Sequence, residues 1–449
     1  MDILTTILVF ILTVSIIIVF HEFGHYIAAR ACGVKVLEFS LGFGKKIFSY
    51  SYGRDNTEYK VCALPLGGYV KMLGEEDDKF EEHEKHRAFQ NQDLYKKFII
   101  VFCGPLFNFI LAIFFYFLIF TSGYQGVKPI IADVIEDSYA EQINMKKDDL
   151  VSSINAKEVN TWSEAIIEIM SSASSNEDII FTVNRSGSLL NLSPIKNSKD
   201  LMKSESVFQE IGIVTSFSNS TYIGQVKENS LAHKYGINTG HKIISINDKT
   251  VITWNDIARE ISNNINTKIK IILYDGTLKK ELFIPVISIM ENGKMKGKLG
   301  ISPEIDNSQI EKNTIQIKHS ITDSIILSVK KTYDMTVLTV DFIFQMILGN
   351  ASAKNISGPV GIAKYASDSF SMGISTFLNL LAILSISIGI LNLLPIPMLD
   401  GGHLAYYTVE FITGKPVSPN IQLYLQQFGI AFIIFLTIFA LYNDIARLM

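Results

Sequence analysis

Two histidines and a glutamate stand at the end of a long apolar stretch near the start of the chain. The motif H-E-F-G-H occupies residues 21–25 and follows residues 3–20, which carry no charged side chain. On a helix, His21 and His25 lie on one face and could bind one Zn²⁺. Glu22 would lie beside the metal, where a carboxylate can take a proton from a bound water. The pattern predicts zinc-dependent hydrolysis at a membrane, because eighteen uncharged and mostly apolar residues are about enough to cross the hydrocarbon core.

A third metal ligand should come from a distant part of the chain, since a catalytic zinc site usually has three protein ligands and one open position. Asp400 follows a long apolar run that ends at the predicted membrane depth of the two histidines. We therefore predict that Asp400 is the third ligand. His403 is the alternative, and it could instead be a polar residue at the membrane surface.

The residues before Asp400 should break the membrane helix. Pro395 and Pro397 remove backbone donors, and non-helical backbone at membrane depth is tolerated only where protein or a water-filled cavity surrounds it. A broken helix beside the metal therefore fits a hydrated active site. Asn392 could hydrogen-bond to a substrate backbone, and an interhelical polar contact is the alternative for this side chain.

The composition indicates a mixed membrane protein. The 449 residues are 48% hydrophobic and 19% charged, with a mean hydropathy of +0.26, which predicts several spans together with soluble domains. The net charge of −4 gives no basic surface for a nucleic-acid partner. The three cysteines show no paired spacing, so neither a disulfide framework nor a cysteine zinc site is expected. The first segment lacks a basic flank and is predicted to be an uncleaved anchor.

Four apolar segments are long enough to span a bilayer, at about 3–30, 98–121, 374–398 and 424–443. The helical segment 319–349 carries five charged residues and is predicted to lie at the membrane interface, with a spanning position as the alternative. Twelve Lys and Arg residues lie between 30 and 97, so the positive-inside rule places that loop in the cytoplasm. The N-terminus and the long segment 122–373 are then extracytoplasmic.

The long segment contains an internal repeat of about ninety residues. Positions 92 apart are identical at several sites, which include the two tryptophans of the chain, Trp162 and Trp254. Short β runs and one helix in a unit of this size resemble a PDZ domain. We predict PDZ-like domains at 122–218 and 219–306. The first has no glycine in residues 144–149, where the second keeps Gly236 and Gly240, so its ability to bind a ligand stays open.

Four motifs together resemble those of the site-2 protease family of zinc intramembrane proteases, and specifically its bacterial RseP type. They are H-E-F-G-H (21–25), G-P-L-F-N-F (104–109), S-G-P-V-G-I-A (357–363) and N-L-L-P-I-P-M-L-D-G-G (392–402). The resemblance implies that His21, His25 and Asp400 bind one zinc ion per chain and that Glu22 is the catalytic base. It also implies substrate contacts from the break before Asp400, at Asn392, Pro395 and Pro397.

The same resemblance assigns a role to the cytoplasmic loop. Extended runs at 46–52 and 58–63 predict a β-hairpin that dips toward the membrane. Its edge, at Gly67 and Gly68, could pair with an unwound substrate strand, and a plain surface hairpin is the alternative. The implied fold is a four-helix transmembrane metalloprotease core, split between 1–121 and 374–449, with a membrane-associated β-hairpin and two extracytoplasmic PDZ-like α+β domains followed by the amphipathic segment 307–373.

The resemblance further implies an inner-membrane enzyme that acts on single-span membrane proteins, such as an anti-sigma factor or leftover signal peptides. The lipid bilayer is its other partner. A catalytically inactive PDZ-containing scaffold is the main alternative, and the intact Glu22 argues against it, because zinc binding alone does not require that carboxylate. A zinc permease is disfavoured, since the sequence has one metal cluster and no chain of polar residues across the spans.

Overall fold

The computed structural model describes residues 3–75, 81–196, 201, 207–215, 221–228, 230–291, 294–304, 312–349 and 357–448. The chain forms two compact units. The first comprises Met1–Tyr124, Lys318–Val340 and Ile356–Asn443, and the second comprises Gln125–Ile317, Asp341–Asn355 and Asp444–Met449.

The helices are, in chain order, α1 (Ile3–Ala31), α2 (Leu94–Ser122), α3 (Tyr139–Gln142), α4 (Trp162–Ser174), α5 (Val207–Ile211), α6 (Leu231–Lys234), α7 (Trp254–Asn263), α8 (Ile321–Ile347), α9 (Pro359–Ser371), α10 (Ile374–Leu393), α11 (Asp400–Thr413) and α12 (Pro419–Leu448). Two short 3₁₀ turns precede α2, at Glu82–Arg87 and Phe89–Asn91.

The strands are β1 (Val36–Tyr52), β2 (Thr57–Met72), β3 (Tyr124–Val127), β4 (Ile131–Val134), β5 (Leu150–Ile154), β6 (Lys157–Glu158), β7 (Phe181–Arg185), β8 (Ser188–Asn191), β9 (Ile213–Thr215), β10 (Ile223–Val226), β11 (Lys242–Ile246), β12 (Lys249–Thr250), β13 (Lys268–Tyr274), β14 (Lys279–Pro285), β15 (Ile287–Glu291), β16 (Lys294–Lys298), β17 (Ile301–Pro303) and β18 (Thr314–Ile317).

Four helices in the described part of the chain are long and apolar enough to cross a membrane, namely α1, α2, α10 and α12. Helix α8 is not among them, so the interfacial position of 319–349 stays a prediction. The predicted third span ran to about residue 398, but α10 ends at Leu393. Leu394 takes an extended conformation there, because Pro395 disfavours helix in the residue before it.

Helix α2 is the centre of the first unit, where it packs against α1, α10 and α11. The crossing with α1 is close at Gly24, where an added Cβ would lie 2.2 Å from the Cys103 carbonyl oxygen. Small residues at such crossings let two membrane helices approach, and van der Waals packing then holds them together. This crossing brings the middle of α2 against the histidine-bearing end of α1.

Strands β1 and β2 form the predicted hairpin, and residues 38–41 lie at its centre. This segment has β2 partners on both sides, namely 68–71 and 58–61. The distal half of β1 then pairs with the start of β2, from Lys46 with Cys62 to Tyr52 with Thr57. The stretch at Gly68 is therefore an outer segment of the β1–β2 sheet.

The second unit contains two sheets of the same strand order, β6-β5-β7-β8 and β12-β11-β13-β14. Each sheet packs with one helix over its own apolar core, α4 on the first and α7 on the second. Thr161 and Thr253, which are 92 positions apart, cap these two helices through their hydroxyl oxygens. The predicted module boundaries at 218/219 and 306/307 lie outside the described residues.

The glycine-free turn of the first module has the same backbone shape as the glycine-containing turn of the second. Asn144 and Asp148 have φ of 64° and 67°, and the equivalent Gly236 and Gly240 have 75° and 85°. Asn and Asp enter this left-handed region more readily than other side chains. The missing glycines therefore do not change the conformation of the turn.

Candidate metal centre

Three nitrogen and oxygen atoms from α1 and α11 converge on one point in the first unit. The Nε2 atoms of His21 and His25 lie 3.1 Å and 3.5 Å from Asp400 Oδ2 and 3.3 Å from each other. Donors bound tetrahedrally at zinc distances of about 2.0–2.1 Å would lie about 3.3 Å apart. The three atoms thus have the spacing of one face of a zinc tetrahedron.

The donor chemistry also fits a cation. The side chains of His21, His25 and Asp400 are 11%, 10% and 18% exposed, and Asp400 Oδ2 accepts no hydrogen bond among the described residues. A buried carboxylate oxygen that faces two imidazole nitrogens is costly unless a positive charge compensates it. Two histidines and one carboxylate are a known catalytic zinc set that keeps one position open.

Helix α2 fixes the orientation of His25. The Ile100 carbonyl oxygen lies 2.9 Å from His25 Nδ1 and accepts its proton, so the neutral ring presents the Nε2 lone pair to the metal position. One turn further along α2, Gly104 leaves room for the imidazole. An added Cβ at Gly104 would lie 2.2 Å from His25 Nε2.

Asn108, another turn along the same face of α2, contacts the second histidine. Its side-chain amide lies 3.2 Å from His21 Nδ1, and the residue is fully buried. Helix α2 thus meets both imidazoles, at positions spaced by four residues. Gly104 and Asn108 belong to the motif at 104–109, from which no role was predicted for either residue. Their spacing by one helical turn, which places them on one face of α2, was the sequence signal that could have indicated a shared contact.

The helix break carries Asp400 to this point. Residues 394–399 are non-helical, and Asp400 begins α11, where the partial positive charge of a helix N-terminus stabilises a carboxylate. The break is compact because added Cβ atoms at Gly401 and Gly402 would meet the carbonyl oxygens of residues 394 and 396 at 2.1 Å and 2.6 Å. Gly429 of α12 approaches in the same way, with a Cβ position 2.2 Å from the Pro397 oxygen.

Glu22 lies between the histidine pair and the hairpin. His25, His21 and Asp400 are its titratable neighbours. On the hairpin side, a Cβ built on Gly68 would lie 3.0 Å from Glu22 Cγ. The outer segment of β2 therefore passes directly beside this carboxylate.

Interactions on both faces of the hairpin hold it in this position. The hydroxyl groups of Tyr26 on α1 and Tyr59 on β2 are 2.7 Å apart. At the turn, Arg87 forms two hydrogen bonds to Asp55, of 2.7 Å and 2.8 Å. These bonds, with the charge of Arg30, hold the pKa of the Asp55 carboxyl below its usual range.

The remaining predicted residues are not part of the metal group. Asn392 is half-buried in the last turn of α10, and its side chain has no hydrogen-bond partner in the described part of the chain. Pro395 and Pro397 lie in the break. His403 is one turn along α11 and stacks edge-on with Tyr406, and it is not part of the three-residue group. Gly67 has φ of 133°, and a Cβ on it would overlap the Phe43 ring at 2.1 Å.

Comparisons with known proteins cover nearly the whole chain. Residues 9–436 match the description "Peptidase family M50". The regulator of sigma E protease of Haemophilus influenzae is 33% identical over 98% of both chains, and that of Salmonella typhimurium strain 14028s is 30% identical over 100% of both. A Ralstonia nicotianae relative with the name of a zinc metalloprotease is 35% identical over 99% of this chain and 98% of its own.

A solved structure, the PDZ domain of an SdrC-like protein from Listeria monocytogenes, aligns with 21% of this chain and 98% of its own, at 18% identity and a TM-score of 0.18. A TM-score this low does not show a shared fold. The family match, in contrast, confirms the recognition made from the four motifs. The chain therefore belongs to peptidase family M50, the site-2 protease family, and is a multi-pass membrane metalloprotease.

Proposed function

We propose that the protein binds one zinc ion per chain and cleaves single-span membrane proteins within or near their transmembrane segment. The observation that carries the proposal is the convergence of His21, His25 and Asp400 beside Glu22. All three ligand atoms lie within 4.8 Å of one another. The group is built from α1, which by length and composition can cross a membrane, together with α11, the helix that follows the break.

The catalytic steps divide between the metal and Glu22. Zinc held by His21, His25 and Asp400 would lower the pKa of a coordinated water toward about 7 and would polarise the scissile carbonyl. The Glu22 carboxylate accepts a proton from the attacking water and then delivers it to the leaving amine. Glu22 is half-buried beside the ligand group, where electrostatic interactions with the reacting groups would be stronger than in bulk water.

The substrate must be unwound before this chemistry can occur, because amides in a helix are hydrogen-bonded within the helix and shielded. The outer segment of β2 at Gly67 and Gly68 offers backbone groups next to Glu22, so we infer that an extended substrate pairs with it as an added strand. The Asn392 amide, which has no hydrogen-bond partner among the described residues, would bind substrate backbone from the end of α10, near the break formed by Pro395 and Pro397.

The proposed orientation in the membrane rests on the distribution of Lys and Arg, and the proposed substrates rest on the names of the relatives. The positive-inside rule supports a cytoplasmic hairpin with the N-terminus and the second unit outside the cytoplasm, in a bacterial inner membrane. The two repeated modules, which we interpret as PDZ-like, would select substrates there. Relatives named regulator of sigma E protease favour an anti-sigma factor as substrate, and remnant signal peptides are the second substrate class.

The test is cleavage of a single-span substrate in liposomes by wild-type protein and by Glu22→Gln. We expect cleavage by the wild type, and zinc content without cleavage in Glu22→Gln, because the amide cannot accept the proton. Glu136→Gln makes the same chemical change at an exposed position of the second unit and should cleave normally. Unchanged cleavage by Glu22→Gln would contradict the proposal. Wild-type protein that binds the substrate and leaves it intact would indicate a scaffold.

A further inference from the structure

Asn108 has no role in the proposed chemistry, yet it is a fully buried polar residue in contact with a metal-binding imidazole. We propose that Asn108 is a positioning residue for zinc, whose amide oxygen accepts the His21 Nδ1 proton and so directs the Nε2 lone pair to the metal. The proposal rests on the proposed zinc site, and it assigns a role to a side chain outside the ligand set.

The reasoning begins with the proton of a neutral imidazole. A neutral ring carries one N–H, so His21 can bind a metal through Nε2 only when Nδ1 holds the proton. The metal-facing atom is fixed as Nε2 by its distances of 3.1 Å to Asp400 and 3.3 Å to His25. Nδ1 then points away from the metal position as a donor, and it needs an acceptor in a buried site.

The Asn108 amide is the group in position to accept this proton. It lies 3.2 Å from His21 Nδ1 with Nδ2 nearest, and Oδ1 has no hydrogen-bond partner among the described residues. The two ends of an amide have nearly the same shape, so a half-turn about the terminal side-chain bond brings Oδ1 to Nδ1. Binding of zinc through Nε2 requires that second orientation. The first would place the imidazole proton on the metal-facing nitrogen.

The neighbouring ligand shows the same arrangement. His25 Nδ1 donates to the Ile100 carbonyl oxygen at 2.9 Å, and Ile100 lies two turns before Asn108 on α2. One helix face therefore receives both Nδ1 protons, one through a backbone carbonyl and one through a side-chain amide. Because metal-bound imidazoles generally donate their other N–H to such an acceptor, the pair completes the outer shell of both histidine ligands.

Asn108 is itself held in place from the other side. Ser385 of α10 donates a hydrogen bond of 2.8 Å to the Asn108 carbonyl oxygen. An added Cβ on Gly389, one turn along α10, would lie 3.3 Å from Asn108 Cβ. Asn108 thus contacts α1, which supplies the histidines, through its amide, and α10, which leads to the break before Asp400, through its backbone and Cβ. A residue whose backbone and Cβ are fixed by a neighbouring helix can orient the imidazole with little freedom.

The experiment compares full-length Asn108→Asp, which keeps an acceptor but cannot donate, with Asn108→Leu, which keeps the size and loses the acceptor. Zinc affinity is measured by competition with a chelator, and helical content and thermal unfolding of the metal-free proteins report folding. We expect Asn108→Leu to bind zinc about 10- to 100-fold more weakly than the wild type. Asn108→Asp should stay close to wild-type affinity.

Thr13→Val is the matched control, because Thr13 is also a buried polar residue of a membrane helix, but within the described part of the chain its hydroxyl bonds only to the Val9 carbonyl oxygen of its own helix. Its zinc affinity should be unchanged. Wild-type affinity in Asn108→Leu would overturn the proposal, and so would equal losses in the two Asn108 variants, which would mean that the amide acts as a donor or a spacer. If Asn108→Leu does not fold, the zinc affinity of Asn108→Asp decides: a value close to wild type supports the acceptor role of the amide, and a clear loss contradicts it. Zinc binding without cleavage by the wild type would refute the proposed function alone.

Discussion

Replacing Gly104 with alanine should remove zinc from the protein without adding or removing a charge or a hydrogen bond. The added Cβ would lie 2.2 Å from His25 Nε2 and 2.4 Å from Cε1. Ordinary contacts of this kind begin at 3.4 Å, so the imidazole must retreat by roughly 1.2 Å or α2 must move by a similar amount. Either movement is several times the tolerance of about 0.2 Å in metal–ligand distances.

We expect Gly104→Ala to lose His25 as a ligand and therefore to bind zinc at least about 100-fold more weakly than wild type, the upper end of the effect of outer-shell substitutions. The assay is zinc per chain by mass spectrometry after dialysis against chelators of graded affinity. Cleavage should fall in proportion to zinc content, and excess zinc should restore it in part.

Gly389→Ala is the matched control for the same substitution in a neighbouring membrane helix. Its Cβ would meet Asn108 Cβ and the Phe109 ring at 3.3 Å, a contact that shifts of a few tenths of an ångström can relieve. Zinc content should remain at the wild-type level. Wild-type zinc affinity in Gly104→Ala would refute the reasoning, because it would show that His25 does not bind the metal in the position described.

Three further predictions follow from the same geometry. Asp400→Ala should lose zinc and His403→Ala should keep it, as measured by metal analysis, since His403 is not in the ligand group; the reverse result would exchange their roles. Gly68→Val should lower kcat/KM by roughly 10- to 100-fold at unchanged zinc content, because its side chain would enter the space beside Glu22; normal kinetics would exclude that β2 segment as a substrate contact. Asp149→Asn should lower the free energy of unfolding of the first module by about 2 kcal/mol and accelerate amide hydrogen exchange there, because it removes the charge and one of the two acceptor oxygens that bind Arg185; unchanged protection would show that the pair contributes little.

The sequence was most informative where polarity contrasted with its surroundings. His21, Glu22 and Asp400 interrupt or end apolar runs, and ionisable residues at membrane depth are costly enough to indicate function. The spans were visible for the same reason, as long apolar segments. Hydropathy alone extended the third span to about residue 398, because the apolar run continues through the break, whereas Pro395 and Pro397 correctly predicted that the helix ends before Asp400.

The roles of Gly104 and Asn108 could not be read in the same way. Helix α2 is apolar on all sides, since lipid and neighbouring helices are equally apolar, so its sequence does not show which face meets α1. The face of α2 that meets α1 is known from the structure, through the close crossing at Gly24. Helix α11 was also unforeseen, because Gly401 and Gly402 are poor helix formers and their value lies in close contact with the break.

The conformation of the turn at residues 144–149 in the first module could not be predicted for a different reason. The absence of glycine from residues 144–149 suggested a departure from the second module, but conformation depends on φ rather than on residue type. Asn144 and Asp148 adopt positive φ at the two glycine positions. Reading such turns requires counting Asn and Asp as substitutes for glycine.

The most direct test of the central claim is zinc K-edge X-ray absorption of the purified full-length protein. A site built from His21, His25 and Asp400 predicts a first shell of nitrogen and oxygen at about 2.0–2.2 Å, outer-shell scattering from two imidazoles, and loss of bound zinc in Asp400→Ala. Three imidazoles, a sulfur ligand at about 2.3 Å, or protein that purifies without stoichiometric zinc and cannot take it up would contradict the account.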